Sequence, residues 1–304
     1  MASVSGYQVR KQRTLSRSVR TTGFGLFSGI DVNLELCPAN PDSGIVFERT
    51  DLTQPVSIPA HIDYVVPRPR CTVIGRHGVH VGVVEHVVSA LAGMQIDNCR
   101  IRLNAPEPPG FDGSALQFVE MIDRAGITEQ DANRQVLTVE QVVSVMDNEH
   151  IGVVAMPPRR DEYELGYLLN YAVSGIGEQS FRTHLSPERY QHEICAARTF
   201  VEQHEVDALQ AQGIGLRATS QNLLVFGPHG PIENTVRFPN ECARHKLLDC
   251  IGDFALIGCD LVGRFVAQRS GHRLNHALVR EIRAAHQAFF ENLSTSSVPV
   301  RRAG

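Results

Sequence analysis

The sequence predicts an α+β protein composed of two halves of similar size. Short β-like runs alternate with stretches of helical periodicity in both the first and the second part of the chain. The length of 304 residues allows one large domain or two of about 150 residues each. The polar segment 126–134 is the best candidate boundary. We therefore expect an N-terminal α+β domain over residues 1–130 and a C-terminal α+β domain over residues 131–304.

The composition limits the class of protein and its partners. Hydrophobic residues make up 42% of the chain and charged residues 20%, a balance that excludes intrinsic disorder. A net charge of -4 gives no support to nucleic-acid binding. No apolar run approaches the roughly 18 residues of a membrane span, so we expect no membrane insertion. The seven cysteines contain no Cys-x-x-Cys pair, which favours free thiols and a cytoplasmic location.

The first half is predicted to contain two helices among short strands. Alternating or β-rich runs predict strands at 12–19, 32–36, 44–47, 71–74 and 99–103. Apolar residues recur at helical spacing over 84–93, so Glu85 and His86 should lie in the first turn of a helix that stops at Gly93. Pro and Gly predict a loop over 104–113, and Gly126 should end a second helix over 115–125.

The second half repeats this mixture of elements. Strands are expected at 136–146, 151–156, 164–173, 223–226 and 262–268, and residues 187–212 are expected to be mostly helical. Asn240 should cap a long helix through about 257, whose buried stripe contains Leu247, Leu248 and Ile251. A final helix is predicted over 275–293, followed by a loose tail at 298–304.

His245 and Asp249 are a candidate pair of metal ligands on the long helix. Their i, i+4 spacing places both on one face, close enough to bind a single ion. The pair alone is a weak signal, because many helices carry such a pair as an exposed hydrogen bond. Asp249, however, is flanked by apolar residues, and a carboxylate in such a setting needs a partner.

Glu85 and His86 offer the remaining elements of a hydrolytic metal site. A catalytic zinc takes three protein ligands and an open position, with a carboxylate that accepts a proton from water. Adjacent residues on a helix point about 100° apart, so His86 can bind the metal while Glu85 borders the open position. By spacing alone, a first-turn Glu favoured by the helix dipole and a surface His are the more common arrangement.

His272 and Lys246 are further candidates near the long helix. His272 is expected on a tight connection after the strand at 262–268, where Asp253 could hold its ring in the cationic form. A loop histidine is usually just solvated. Lys246 would normally lie on the surface, but beside a metal site it could meet an anionic substrate group.

Many short strings, in one order from residue 11 to about 280, resemble the zinc-dependent UDP-3-O-acyl-N-acetylglucosamine deacetylases of lipid A synthesis. A series of this kind is far less probable by chance than any single string. The matching strings include Lys11-Gln-Arg-Thr-Leu15, Val84-Glu-His86, Ala90-Leu-Ala-Gly93, Asn104-Ala-Pro-Glu107, Asp112-Gly-Ser-Ala115, Ala197-Arg-Thr-Phe200, Arg244-His-Lys246, Ile251-Gly-Asp253 and Ser270-Gly-His272.

This resemblance implies a fold of two β-α-α-β halves, a duplication like domain 2 of ribosomal protein S5, packed helix layer against helix layer. The active site would lie at their junction. The resemblance also assigns a role to each candidate residue. It implies the zinc ligands His86, His245 and Asp249, the general base Glu85, the cationic stabiliser or acid His272, its orienting partner Asp253, the carbonyl-polarising Thr199, the sugar-packing Phe200, and the diphosphate contact Lys246.

The implied reaction is hydrolysis of the acetamide of an acylated UDP-sugar to acetate and a free amine, the committed step of lipid A biosynthesis, by a cytoplasmic and generally monomeric zinc enzyme. Zinc would activate water and polarise the carbonyl, while Glu85 removes a proton. The chain departs from the family at Phe27, where His is usual, and at 217–222, where the family is usually rich in Gly and Ser. A divergent paralogue acting on another N-acetylated sugar therefore stays an alternative, as does a non-catalytic binding protein on the same fold.

Overall fold

The computed structural model describes residues 9–171 and 175–296. The predicted strand end at 173 and the predicted tail at 298–304 lie outside these residues. The protein contains several β-sheets and seven α-helices in the described part, which confirms the mixed α+β prediction. No helix in the described part of the chain is both long and apolar enough to cross a membrane.

The N-terminal half is built on a five-stranded sheet with the order β2-β3-β9-β4-β5. Its central strand β9 runs parallel to β4 and antiparallel to β3. A small sheet, β6-β7-β8, precedes the first helix, and β1 pairs with β10. The strands and helices are β1 (Lys11–Leu15), β2 (Val19–Phe24), β3 (Asp31–Pro38), β4 (Ile45–Arg49), β5 (Val56–Pro59), β6 (Val65–Val66), β7 (Val73–Arg76), β8 (Val79–Val81), α1 (Glu85–Gly93), β9 (Cys99–Leu103), α2 (Leu116–Ala125) and β10 (Ile127–Asn133), with a 3-10 turn at Ile62–Tyr64.

The C-terminal half has a sheet of the order β12-β13-β19-β14-β15, and β11 joins it beside β19. A small sheet, β16-β17-β18, precedes its long helix. The elements are β11 (Val136–Thr138), β12 (Val143–Asn148), β13 (Ile151–Met156), β14 (Tyr163–Tyr171), β15 (Gly177–His184), α3 (Pro187–Arg189) continuing into a π-helical turn (Tyr190–Ile194), β16 (Phe200–Glu202), α4 (Gln203–Ala211), β17 (Leu224–Gly227), β18 (Gly230–Pro231), α5 (Glu241–Ala255), β19 (Asp260–Gln268), α6 (His272–Ala285) and α7 (Gln287–Ser296).

The two large sheets share one pattern of strand order and direction. In each, the central strand follows a helix, runs parallel to one neighbour and antiparallel to the other, and is followed by a second helix. In each half, four strands of the large sheet are followed along the chain by a small sheet, a helix, the central strand and a further helix. Strands β1 and β11 precede these elements, and the C-terminal half also contains α3, α4 and α7. Helices α1 and α5 each lie directly before the central strand of their sheet.

The halves meet where α1 packs against α5, and one hydrophobic core runs through both. Gly252 makes the close approach possible. A Cβ atom at this position would lie 2.3 Å from the backbone oxygen of Glu85, well inside van der Waals contact. The apolar side chains of Val87, Leu91 and Ile251 are buried in this region. The beginning of α1 is thereby fixed against the middle of α5.

Several predicted elements need correction because of pairing that local sequence does not show. The strand predicted at 136–146 is two strands, since β11 pairs with β19 and β12 pairs with β13. The mostly helical prediction for 187–212 is wrong at β16, where Phe200 and Val201 pair with Leu224 and Val225 of β17. Tertiary pairing overrides local propensity here.

The helix predicted at 275–293 begins earlier and is two helices, α6 and α7. His272 is therefore the first residue of a helix. The sequence had predicted that it lies on a tight connection, and that prediction was wrong. The polar segment 126–134 contains the strand β10, which is largely exposed and pairs only with β1 within the described residues. Asn240 precedes α5, but its side chain makes no capping hydrogen bond there. Its amide instead donates to the Ser180 carbonyl at 2.8 Å.

Candidate metal centre and active site

Three helices bring the candidate residues together at the junction of the halves. Helix α1 begins with Glu85 and His86, and α6 begins with His272. Helix α5 presents His245, Asp249 and Asp253 at successive i, i+4 positions, which share one face of a helix. The contact at Gly252 brings these two sets into register. Side chains from α1, α5 and α6, some of them separated by more than 150 positions along the sequence, therefore point into one site.

His86, His245 and Asp249 form a buried group of potential metal ligands, with one ligand atom from each within 4.8 Å of the others. Asp249 Oδ1 lies 3.7 Å from His86 Nε2 and 3.4 Å from His245 Nε2. This oxygen is buried and has no hydrogen-bond partner. An unsatisfied buried carboxylate oxygen is costly, so its position between two imidazole nitrogens fits a site for a divalent cation.

The second nitrogen of His245 is also fixed. His245 Nδ1 lies 3.1 Å from the carbonyl oxygen of Ala197, so a proton on Nδ1 donates there and leaves Nε2 as a lone-pair donor towards the group. Carbonyl contacts of this kind orient metal-binding histidines. Two nitrogens and one carboxylate oxygen form the donor set of a catalytic zinc site that keeps one position open.

The titration of these groups favours the forms that bind metal. Burial and the neighbouring His245 together lower the pKa of His86 to about 3, so the ring is neutral. Burial also lowers the pKa of His245. For Asp249, burial opposes ionisation, but Lys246 and the nearby imidazoles hold the pKa of the carboxyl well below its usual range. Neutral imidazoles and an ionised carboxylate are the ligand forms that a metal requires.

Lys246 contacts the ligand group directly. Its Nζ donates to Asp249 Oδ2 at 2.6 Å, and although burial acts in the opposite direction, the Asp249 carboxylate raises the pKa of the ammonium group. The side chain also lines the large cavity described below. Lys246 is thus hydrogen-bonded to Asp249 Oδ2, while Asp249 Oδ1 lies near the two histidines.

Glu85 lies beside this group and is almost completely buried, with 3% exposure. Its Oε2 accepts a hydrogen bond from the backbone N–H of Thr72 at 3.0 Å, and its Oε1 lies 3.7 Å from His272 Nε2. Burial raises the pKa of Glu85 to about 7, although the cationic His272 favours ionisation. A carboxyl group whose pKa lies near neutrality can accept and return a proton.

His272 is held by Asp253. His272 Nδ1 lies 2.8 Å from Asp253 Oδ2, and the carboxylate itself has no exposure to solvent. Burial alone would lower the pKa of His272, but the charges of Asp253 and Glu85 raise it to about 9. His272 is therefore a cation at neutral pH, with Nε2 directed towards Glu85.

Unusual backbone conformations precede two of these residues. Val83 has φ 52° just before α1, and Arg269 has φ 51° shortly before α6. Positive φ is strained for a β-branched residue such as Val83. Strain of this kind concentrates at functional sites, where the surrounding structure holds it in place. The two positions lie shortly before the first turns of α1 and α6, which carry Glu85, His86 and His272.

A cavity of about 1420 Å³ opens above the site. Glu85, His86, His245, Asp249 and His272 all line it. Thr199 and Phe200 line the same cavity, and the Phe200 ring lies edge to face with the His245 ring at 6.4 Å between centroids. Apolar walls combined with a few charged groups are typical of small-molecule sites.

The two departures noted in the sequence lie next to each other at one side of this cavity. The Gly215 N–H donates to the Phe27 carbonyl at 3.0 Å. Arg217 donates to the Gly29 carbonyl at 2.6 Å and lies over the Phe24 ring at 4.4 Å. Phe27 and residues of the segment 217–222 line the cavity. The segment from the C-terminal half is thus tied to the N-terminal half at the cavity wall.

Sequence reasoning missed Thr72, His276 and Asn275, which all contact Asp253. The i, i+4 spacing of His272 and His276 was visible in the sequence, but it carried no signal while the helix was expected to begin at 275. Thr72 precedes β7 without any motif that marks it. Only the tertiary contact shows its importance.

Comparisons with known proteins show which family this chain is similar to. Residues 12–284 match the profile of the family described as LpxC, UDP-3-O-acyl N-acetylglycosamine deacetylase. A UDP-3-O-acyl-N-acetylglucosamine deacetylase of Myxococcus xanthus (strain DK1622) is 42% identical over 272 residues, covering 89% of this chain and 86% of the relative. The protein of the same name from Mannheimia succiniciproducens is 38% identical over 283 residues, covering 92% of both chains.

Proposed function

The chain belongs to the UDP-3-O-acyl N-acetylglycosamine deacetylase family, and we propose that it is a zinc-dependent amidohydrolase. Its substrate is a UDP-3-O-acyl-N-acetylglucosamine, and its products are acetate and the free amine. The reaction is the committed step of lipid A biosynthesis and takes place in the cytoplasm. The match over most of the chain supports this assignment, and the buried ligand group supports the metal dependence.

The observation that carries the metal proposal is Asp249 Oδ1, buried without a partner between two imidazole nitrogens. His86, His245 and Asp249 are the residues that hold the ion. When bound, zinc polarises the amide carbonyl and makes water more acidic.

Glu85 is proposed as the general base. One oxygen is occupied by the Thr72 N–H, and the other faces the cavity beside His272. As water adds to the acetamide carbon, Glu85 takes its proton. The raised pKa of Glu85, about 7, allows the carboxyl group to return that proton in the second step.

His272 is proposed as the cation that faces the developing negative charge, with Asp253 as its positioning residue. A fixed positive charge in a buried site stabilises an oxyanion more strongly than the same charge in water. When the carbon–nitrogen bond breaks, the leaving amine takes a proton from Glu85 or His272. Thr199, at the cavity wall, is proposed to donate a hydrogen bond to the carbonyl oxygen.

The remaining residues are proposed to bind the substrate. Phe200 presents a ring edge close to the ligand group, a suitable surface for the sugar. Lys246 supplies a positive charge for the nucleotide diphosphate. We also propose that residues 1–130 and 131–304 are two domains formed by duplication of one unit, which the shared strand order of the two large sheets supports.

A second candidate function is deacetylation of another N-acetylated sugar. It is favoured by the positions of Phe27 and the segment 217–222, because both of these departures from the family contribute to the cavity wall. Acetate release from the acylated UDP-sugar, compared with release from simple N-acetyl sugars, distinguishes the two functions.

Metal analysis of purified variants tests the main proposal. His86→Ala and Asp249→Ala should lose bound zinc and activity together, whereas Glu85→Ala should keep zinc and lose turnover. His204→Ala, an exposed histidine on α4, is the matched control and should keep both. A zinc-loaded and active His86→Ala protein would refute the assignment.

A further inference from the structure

The carboxylate of Asp253 has more partners than the proposed mechanism uses. It has no exposed surface and accepts side-chain hydrogen bonds on both oxygens. His272 Nδ1 and Asn275 Nδ2 each lie 2.8 Å from Oδ2. Thr72 Oγ1 lies 2.5 Å and His276 Nε2 3.2 Å from Oδ1. Two imidazoles therefore share one buried carboxylate.

We propose that His276 is a positioning residue that moderates the acidity of His272 through their shared partner Asp253. The proposal rests on the proposed function only for the part that His272 plays in turnover. His276 lines the same cavity and is buried, with 6% exposure. It lies one helical turn beyond His272 on α6, and the two rings are 6.3 Å apart between centroids.

The hydrogen-bond pattern fixes the direction in which His276 acts. The Thr72 hydroxyl donates its only proton to Asp253, so its oxygen can only accept from the two imidazoles, His276 Nε2 at 3.0 Å and His272 Nδ1 at 3.2 Å. His276 Nε2–H thus donates a shared hydrogen bond to Thr72 Oγ1 and Asp253 Oδ1. His276 and Thr72 each withdraw part of the negative charge that would otherwise hold the proton of His272.

Other titratable groups surround this cluster, and all of them stay in place in the test below. Those that face it lie on α1, α5 and the segment before β7. They are Glu85, His86, Asp249, Cys250 and Cys71. None of them is replaced when His276 is substituted.

The expected effect of removing His276 has a single sign. Asp253 loses a donor, so its charge attracts the His272 proton more strongly. This change raises the pKa of His272. A His272 that holds its proton more tightly is a weaker acid, so turnover at the pH optimum should fall.

The experiment measures the titration of the His272 ring by NMR, with labelled imidazoles, in the full-length protein with and without zinc. His276→Phe keeps a ring of similar size but removes the donor, and His276→Gln restores a donor. We expect the pKa of His272 to rise by about half a unit to one unit in His276→Phe and to return towards the original value in His276→Gln. Glu281→Gln, an exposed residue of α6, is the control and should leave the titration unchanged.

Turnover provides a second readout that a purely structural role would not produce. In His276→Phe, the basic limb of the profile of kcat against pH should move to higher pH. The maximal kcat should fall by about two- to threefold, because proton transfer depends on acid strength. An unchanged or lowered pKa of His272 in His276→Phe overturns the proposal. If this variant does not fold, His276→Leu, which also removes the donor, replaces it with the same expected direction, and His276→Gln stays the restoring variant.

The ring titration separates this proposal from the proposed function. If the wild-type protein releases no acetate from any acylated UDP-sugar, the function fails. The coupling of His276 to His272 is then still decided by the NMR titration alone.

Discussion

Replacing Gly252 by Ala tests how the site is assembled, because this glycine sets the distance between α1 and α5. The added Cβ atom would lie 2.3 Å from the Glu85 backbone oxygen and 3.1 Å from the Glu85 Cα. An ordinary carbon–oxygen contact is about 3.4 Å, so the two helices must separate by about 1 Å.

The consequences follow from that displacement. Overpacking of a core costs about 1 to 3 kcal/mol, which corresponds to a fall in Tm of about 2 to 6 °C for a chain of this length. Glu85 and His86 would also move away from His245 and Asp249. A misplacement of about 1 Å in a catalytic site can cost about 100-fold in rate. We therefore expect weaker zinc binding and a loss of kcat/KM far larger than the loss of stability implies.

The assay combines thermal unfolding, zinc titration and kinetics on one preparation. Gly166→Ala in β14 is the matched control, because its nearest neighbours lie at an ordinary 3.8 Å. A Gly252→Ala protein with unchanged zinc affinity and activity would show that the close approach of α1 to α5 does not position the site.

Three further predictions concern buried polar groups. The pKa of His272 is raised to about 9, so its protonated ring stabilises the fold fully below about pH 6.5, and this stabilisation is lost as the pH rises through about 9. In the zinc-free protein, Asp253→Asn should remove about 3 kcal/mol of this pH-dependent stabilisation from the free energy of unfolding. It should also move the basic limb of the pH–activity profile to pH 6.5 or below, and an unchanged basic limb contradicts this. Glu241 is fully buried, and its Oε1 lies 2.8 Å from Arg198 Nε. Arg198→Met leaves this carboxylate without its charged partner and should lower the free energy of unfolding in urea by about 3 to 5 kcal/mol, whereas a loss below about 1 kcal/mol would refute this reasoning. Tyr190→Phe removes the 2.9 Å bond to the Ser89 hydroxyl and should cost about 1 kcal/mol with activity retained, and a loss of activity would contradict this.

Local pattern predicted the elements that carry the site with good accuracy. The periodicity over 84–93 predicted α1, and the apolar stripe of Leu247, Leu248 and Ile251 predicted α5. Both helices carry apolar residues at helical spacing and end near a glycine or a turn, so their signals are local, although almost every residue of either helix is buried. The prediction was wrong at β16, where a short strand exists only because β17 lies beside it.

The site residues show the same division. His245 and Asp249 could be paired from their spacing, because a helix places i and i+4 on one face. No local rule joined His86 to them, and the family resemblance supplied that link before the tertiary arrangement was known. Thr72 and His276 carried neither a motif nor a resemblance.

The sequence by itself determined the α+β class, most of the helices and strands, the family, and a list of chemically suitable side chains. Tertiary structure alone decided that α1 crosses α5 at Gly252, that Asp249 Oδ1 lies without a partner between two imidazoles, and that Asp253 serves His272 and His276 together. The physical reason is that hydrophobic period and turn chemistry act over a few residues. The distance between groups on different helices depends instead on how the whole core packs.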